Sequence, residues 1–158
     1  MMKHILSVLV QNNSGVLARV SSLFGRRGFN IESLTVSATT NPAISRMSII
    51  VTGDEPTLEQ IIKQVSKLEE TIWVRHLQED DSYCRELVFV KLLTDSSDVR
   101  EAIRQIADLY GARIVESTGN TIIVELTEVP SRIDAFLDVI SNFEVLEMCR
   151  SGVTAIQK

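Results

Sequence analysis

The stretches Leu58-Glu59-Gln60-Ile61-Ile62-Lys63-Gln64-Val65-Ser66-Lys67-Leu68 and Ile133-Asp134-Ala135-Phe136-Leu137-Asp138-Val139-Ile140-Ser141-Asn142-Phe143 decide the fold, because they are one helical pattern written twice. In both, apolar residues fall at offsets 0, 3, 4, 7 and 10, which sets a single apolar stripe along one side of a helix. A second pair of helices matches nearly as well. Val16, Val20, Leu23 and Phe24 lead to Gly28, while Val99, Ile103, Ile106, Leu109 and Tyr110 lead to Gly111. Each glycine stands where a helix would end on a left-handed residue.

Strand-like runs surround these helices in matching order. They are His4 to Val10, Phe29 to Ala38, Ser45 to Thr52 and Thr71 to Leu77, then Glu86 to Leu93, Ala112 to Ser117, Thr121 to Leu126 and Val145 to Cys149. Each half therefore reads strand, helix, strand, strand, helix, strand. That order defines an α+β chain of two tandem ferredoxin-like βαββαβ units, each an antiparallel sheet with both helices on one face. The acidic stretch Gln78-Glu79-Asp80-Asp81-Ser82 is the natural joint, giving units of residues 1–78 and 79–158. Units of about 80 residues bury a modest core, and their edge strands and open sheet faces favour association. A homodimer built by pairing first units edge to edge is expected.

Composition narrows the function. The chain has 158 residues, 44% of them hydrophobic but only 5% aromatic, and a formal charge of −5. An acidic chain whose candidate strands offer Ser7, Val8, Met47 and Ile49 where RNA-binding modules carry aromatic residues is not expected to bind RNA, and its charge argues against an anionic membrane. No apolar run approaches the roughly 20 residues needed to cross a bilayer, and Met1-Met2-Lys3-His4-Ile5 moves straight into strand sequence. Cys84 and Cys149 have no CxxC spacing and read as thiols in a reducing cytoplasm.

Catalytic and metal chemistry are not written here. His4 and His76 have no serine or cysteine arranged around them, no metal-ligand spacing occurs, and the glycine-rich phosphate fingerprints are missing. Arg26-Arg27 falls at a helix C-terminus, where the dipole favours positive charge, although a partner contact is also open. The best candidate site is the first strand-to-helix turn, Gln11-Asn12-Asn13-Ser14-Gly15-Val16-Leu17. A helix start offers unpaired N–H groups and a positive dipole end, a seat for a carboxylate. Asn12 offers an amide oxygen for an ammonium group, and Gly15 lets a ligand approach the backbone. Val16, Leu17 and Ile31 offer apolar contact, and Asn30 heads the second strand, where it would reach a ligand at a subunit boundary. A hydrolase built on this turn would want an arginine beside the loop, and the nearest, Arg19, lies a helical turn downstream.

These residues also carry a family pattern. Asn12 to Val20, Leu23 to Leu34 and Ser45-Arg46-Met47 closely resemble the small, regulatory subunits of acetohydroxyacid synthase, also called acetolactate synthase; Asp134-Ala135-Phe136-Leu137 and Arg150-Ser151-Gly152-Val153 extend the likeness to the second unit. The first unit resembles an ACT domain, an amino-acid-sensing module. The resemblance implies a non-catalytic subunit with no cofactor of its own. It implies a separate catalytic subunit carrying thiamine diphosphate, Mg²⁺ and FAD, which this chain activates and makes sensitive to feedback by valine, in branched-chain amino-acid biosynthesis. It implies a valine site of Asn12, Gly15, Val16 and Leu17 from one protomer with Asn30 and Ile31 from its neighbour. An ACT-type sensor for another enzyme or effector is the alternative.

Overall fold

The computed structural model describes residues 2–158. The first repeat folds as β1 (Met2–Gln11), α1 (Val16–Arg26), β2 (Ile31–Ala38), β3 (Ile44–Gly53), α2 (Glu55–Ser66) and β4 (Thr71–Leu77). A 3-10 turn, Glu79–Asp81, forms the joint. The second repeat is β5 (Ser82–Leu93), α3 (Ser97–Tyr110), β6 (Arg113–Ser117), β7 (Thr121–Glu128), α4 (Pro130–Ile140) and β8 (Val145–Arg150). One strand not anticipated follows, β9 (Thr154–Gln157).

Both sheets are antiparallel, with strand orders β2-β3-β1-β4 and β6-β7-β5-β8, and β9 pairs with β5. The two expected ferredoxin-like units are therefore both present, each with the inner positions filled by its first and third strands.

Local chemistry accounts for the helix ends. The Asp54 carboxylate caps α2 by accepting the Thr57 N–H at 2.9 Å, and Ser96 caps α3 through the Val99 N–H at 3.3 Å. Gly28 and Gly111 both have φ of +70°, the left-handed conformation expected where α1 and α3 stop. The repeated stripe works as its spacing requires. Leu58, Ile61 and Val65 are buried on α2, and Ile133, Phe136 and Ile140 on α4.

Each unit has its own core. In the first, Leu6, Val8 and Val10 of β1 and Met47, Ile49 and Val51 of β3 meet Val20, Phe24, Leu58, Ile61 and Val65 of the helices. In the second, Val88, Val90 and Leu92 meet Ile122, Val124 and Leu126 under Ile103, Phe136 and Ile140. The second unit also buries the Glu86 carboxylate, which accepts from the Arg150 guanidinium, and Arg150 Nη1 donates to Asp134 at 2.6 Å. Burial pulls the Arg150 pKa down, but its hydrogen bonds to Glu86 and Asp134 outweigh that and raise it above its ordinary value.

The chain end departs from the expected 79–158 span. The compact units are the segment up to Tyr83 with Val153–Lys158, and Cys84–Gly152. Gly152, at φ +85°, turns the chain, and the last six residues join the first unit. The Val153 N–H donates to the Ser33 hydroxyl at 3.2 Å, and the Thr35 hydroxyl donates to the Val153 carbonyl. Val153 and Ala155 are buried there. Ser33 and Thr35 alternate with Leu34, which packs into the core, so this tail covers the sheet face away from the helices. Part of the cover expected from association comes from the chain itself.

Candidate functional site

The turn after β1 is held from two sides. The Asn12 N–H donates to the Ala43 carbonyl at 2.8 Å, and Asn12 Nδ2 donates to the Pro42 carbonyl at 2.8 Å. Those bonds leave the Asn12 side-chain oxygen exposed as an acceptor. Gly15 has φ of +83°, a conformation that a side chain at this position would strain. It stands at the N-cap of α1, where no side chain caps the helix.

The consequence is a set of donors without partners. Val16 N–H reaches the Asn13 carbonyl at 3.4 Å and Arg19 N–H the Gly15 carbonyl at 3.0 Å, but among the described residues the Leu17 and Ala18 N–H groups meet no acceptor. Two adjacent free amides at the positive end of a helix dipole are suited to one carboxylate. Arg19 adds charge. Its guanidinium folds back to lie 3.9 Å from where a Cβ at Gly15 would sit, while ion-paired with Glu70. The expectation that Arg19 lies away from the loop is corrected: it is one turn on in sequence and beside the loop in space, because a long side chain on a helix leans back toward the N-terminus.

The six candidate residues divide into two groups. Asn12, Gly15, Val16 and Leu17 come together at one end of the first sheet. There the Val16 side chain is buried in the core, so only its backbone faces the turn, whereas Leu17 is exposed. Asn30 and Ile31 lie at the opposite end. Ile31 pairs with Val51 and Val51 with His4, eight residues along β1 from Asn12, about 25 Å away at roughly 3.3 Å per residue. Within one protomer the two groups do not meet. β2 is an edge strand, however, and its Val36, Ser37 and Ala38 are exposed. Among the described residues no group of three or more metal-ligating side chains is present. No described helix is long and apolar enough to cross a membrane.

Residues 6–73 match the family model for the AHAS small subunit-like ACT domain, and residues 85–158 match the model for the small subunit of acetolactate synthase. An ACT domain followed by a second ferredoxin-like unit is the class these matches define. The chain is 44% identical over 155 residues to the probable acetolactate synthase small subunit of Methanothermobacter thermautotrophicus, spanning 98% of this chain and 92% of that one. It is 39% identical over 158 residues to the isozyme 3 small subunit of Escherichia coli, spanning 99% and 96%. The crystal structure of the small subunit from Thermotoga maritima superposes with a TM-score of 0.88 at 34% identity, covering 100% of this chain and 98% of that one. This chain belongs to the acetolactate synthase small-subunit family.

Proposed function

We propose that this chain is the non-catalytic, regulatory subunit of an acetolactate synthase: it activates a separate catalytic subunit and confers feedback inhibition by valine. Thiamine diphosphate, Mg²⁺ and FAD belong in this reading to the catalytic partner. The cytoplasm is the proposed compartment, in keeping with two cysteines that no disulfide joins.

The observation that carries the reading is the pair of unpartnered amides at Leu17 and Ala18, beside a glycine that leaves the backbone open. A valine carboxylate seated there would put its ammonium within reach of the Asn12 oxygen and its side chain against Leu17. The separation of Asn30 and Ile31 from this turn supports a shared site. If two protomers pair antiparallel through their β2 edges, the start of one β2 lies beside the end of the other. The neighbour's Asn30 and Ile31 then approach Asn12 to Leu17 at the same sheet end.

Feedback follows from differential binding. Valine that joins two first units favours one dimer arrangement, and the catalytic subunit prefers the other, so each weakens the other's affinity by the same factor. The test is calorimetric titration of valine, with leucine and isoleucine as further arms, into the parent chain and Asn12→Ala. Loss of a hydrogen bond to a charged group costs about 1.5–3 kcal/mol, a roughly ten- to hundredfold weaker affinity. Unchanged affinity in Asn12→Ala removes that residue from the site, and no valine binding by the parent removes the reading.

A further inference from the structure

We infer that a cleft on the solvent side of α1, lined by Arg26 and Arg27, is a docking site for an acidic segment of the catalytic subunit. The inference rests on the regulatory-subunit reading and adds to it the surface that meets the partner.

The cleft, of about 350 Å³, lies along α1 and is closed on one side by Leu68, just past the end of α2. Ala18 and Ser22 are small and exposed, so they leave room for another chain to come close to the helix. Leu23 and Leu68 give it an apolar floor. Arg19 stands at one end, already paired with Glu70. Arg26 and Arg27 stand at the other, both exposed, and among the described residues neither guanidinium has an ion-pair or hydrogen-bond partner.

Helix-dipole compensation explains one positive charge in the last turn of α1. It does not explain two adjacent arginines opening onto a cleft with an apolar floor, in a chain whose net charge is −5. Guanidinium groups pair with carboxylates in planar, two-pronged fashion, and arginine is enriched where protein surfaces meet. The complementary shape is a short segment with a pair of carboxylates next to an aliphatic side chain. A small free anion fits less well: the cleft is larger than it needs, and the arginines are exposed rather than held in a buried cradle.

The experiment uses the whole chain with its matched catalytic subunit, following both association and stimulation of acetolactate formation at 0.15 M salt or so. The double variant Arg26→Glu/Arg27→Glu is compared with Lys63→Glu/Lys67→Glu, an equal charge change on α2. The expected result is association weakened at least tenfold by the arginine reversal and much less by the lysine reversal. Valine titration into the free arginine variant should match the parent, which shows that the fold and effector site are intact. Association unchanged by the arginine reversal overturns the proposal, as does equal weakening in both variants, which indicates general charge repulsion. A parent chain that binds valine but no catalytic subunit overturns the docking site while sparing the effector site. A parent that associates but binds no valine overturns the feedback reading alone.

Discussion

Single residues set the chemistry here. Gly15 is the clearest case: at φ +83° it holds the turn that leaves the Leu17 and Ala18 amides open. Gly15→Ala should cost about 1–2 kcal/mol of stability, the ordinary penalty for a side chain in left-handed backbone. Thermal unfolding without effector measures that cost, and valine titration should show weaker binding on top of it. In the second unit Arg150 has the comparable role. Removing it leaves the Glu86 carboxylate buried without its partner, so Arg150→Ala should destabilise the chain by about 3 kcal/mol, read from urea unfolding. The double change Arg150→Met/Glu86→Leu should cost less, because no charge is then stranded. Asp134 and Arg150 were legible in the sequence only as members of a family pattern, and their ion pair gives that pattern a physical cause.

At the scale of elements, the far end of the first sheet is tied by a chain of hydrogen-bonded rings. His4 Nε2 faces the Gly53 carbonyl at 3.2 Å, which can only accept, so that nitrogen carries the proton. His4 Nδ1 then accepts from His76 Nε2 at 3.3 Å, and His76 Nδ1 accepts from the Gln78 amide at 3.1 Å. The chain links β1, β4 and the end of β3 with the joint between repeats. A proton added to His76 sets its Nδ1–H against the Gln78 amide, donor against donor. Burial, then the neighbouring His4, hold the His76 pKa below 6.5, against the opposing pull of Glu55 and Asp81. A base with a depressed folded pKa binds fewer protons folded than unfolded. Its contribution is therefore complete above pH 6.5 and is lost as pH falls through that value toward the folded pKa. The thermal midpoint should decline over that window in the parent chain, and less steeply in His76→Gln. Sequence reading gave these histidines no role, because β1 and β4 bring together residues 72 positions apart.

For the whole molecule, the chain end matters more than its length implies. Val153 is 0% exposed and Ala155 only 3%, both against the first sheet. Arg75 Nη1 donates to the Gln157 side chain at 3.2 Å, and the Lys158 N–H donates to the Asp81 carbonyl at 2.8 Å. Burying one valine side chain contributes about 1.5–3 kcal/mol. A chain ending at Gly152 should therefore lose at least that much stability and show faster amide exchange in β2, whose Ser33 and Thr35 the tail engages. Retained protection in β2 would show that the tail adds nothing to that strand.

The amino-acid sequence by itself determined the two repeats, their four α-helices and first eight strands, and the turn from Asn12 to Leu17. Those features are local: they rest on apolar spacing, caps and glycines that act over a few residues. Tertiary structure alone decided that the tail returns to the first unit, that Arg19 stands beside Gly15, and that Asn30 and Ile31 lie at the other end of the sheet from the turn. Each of these depends on which distant strands pair and in what register, and periodicity within a strand carries no record of its partner.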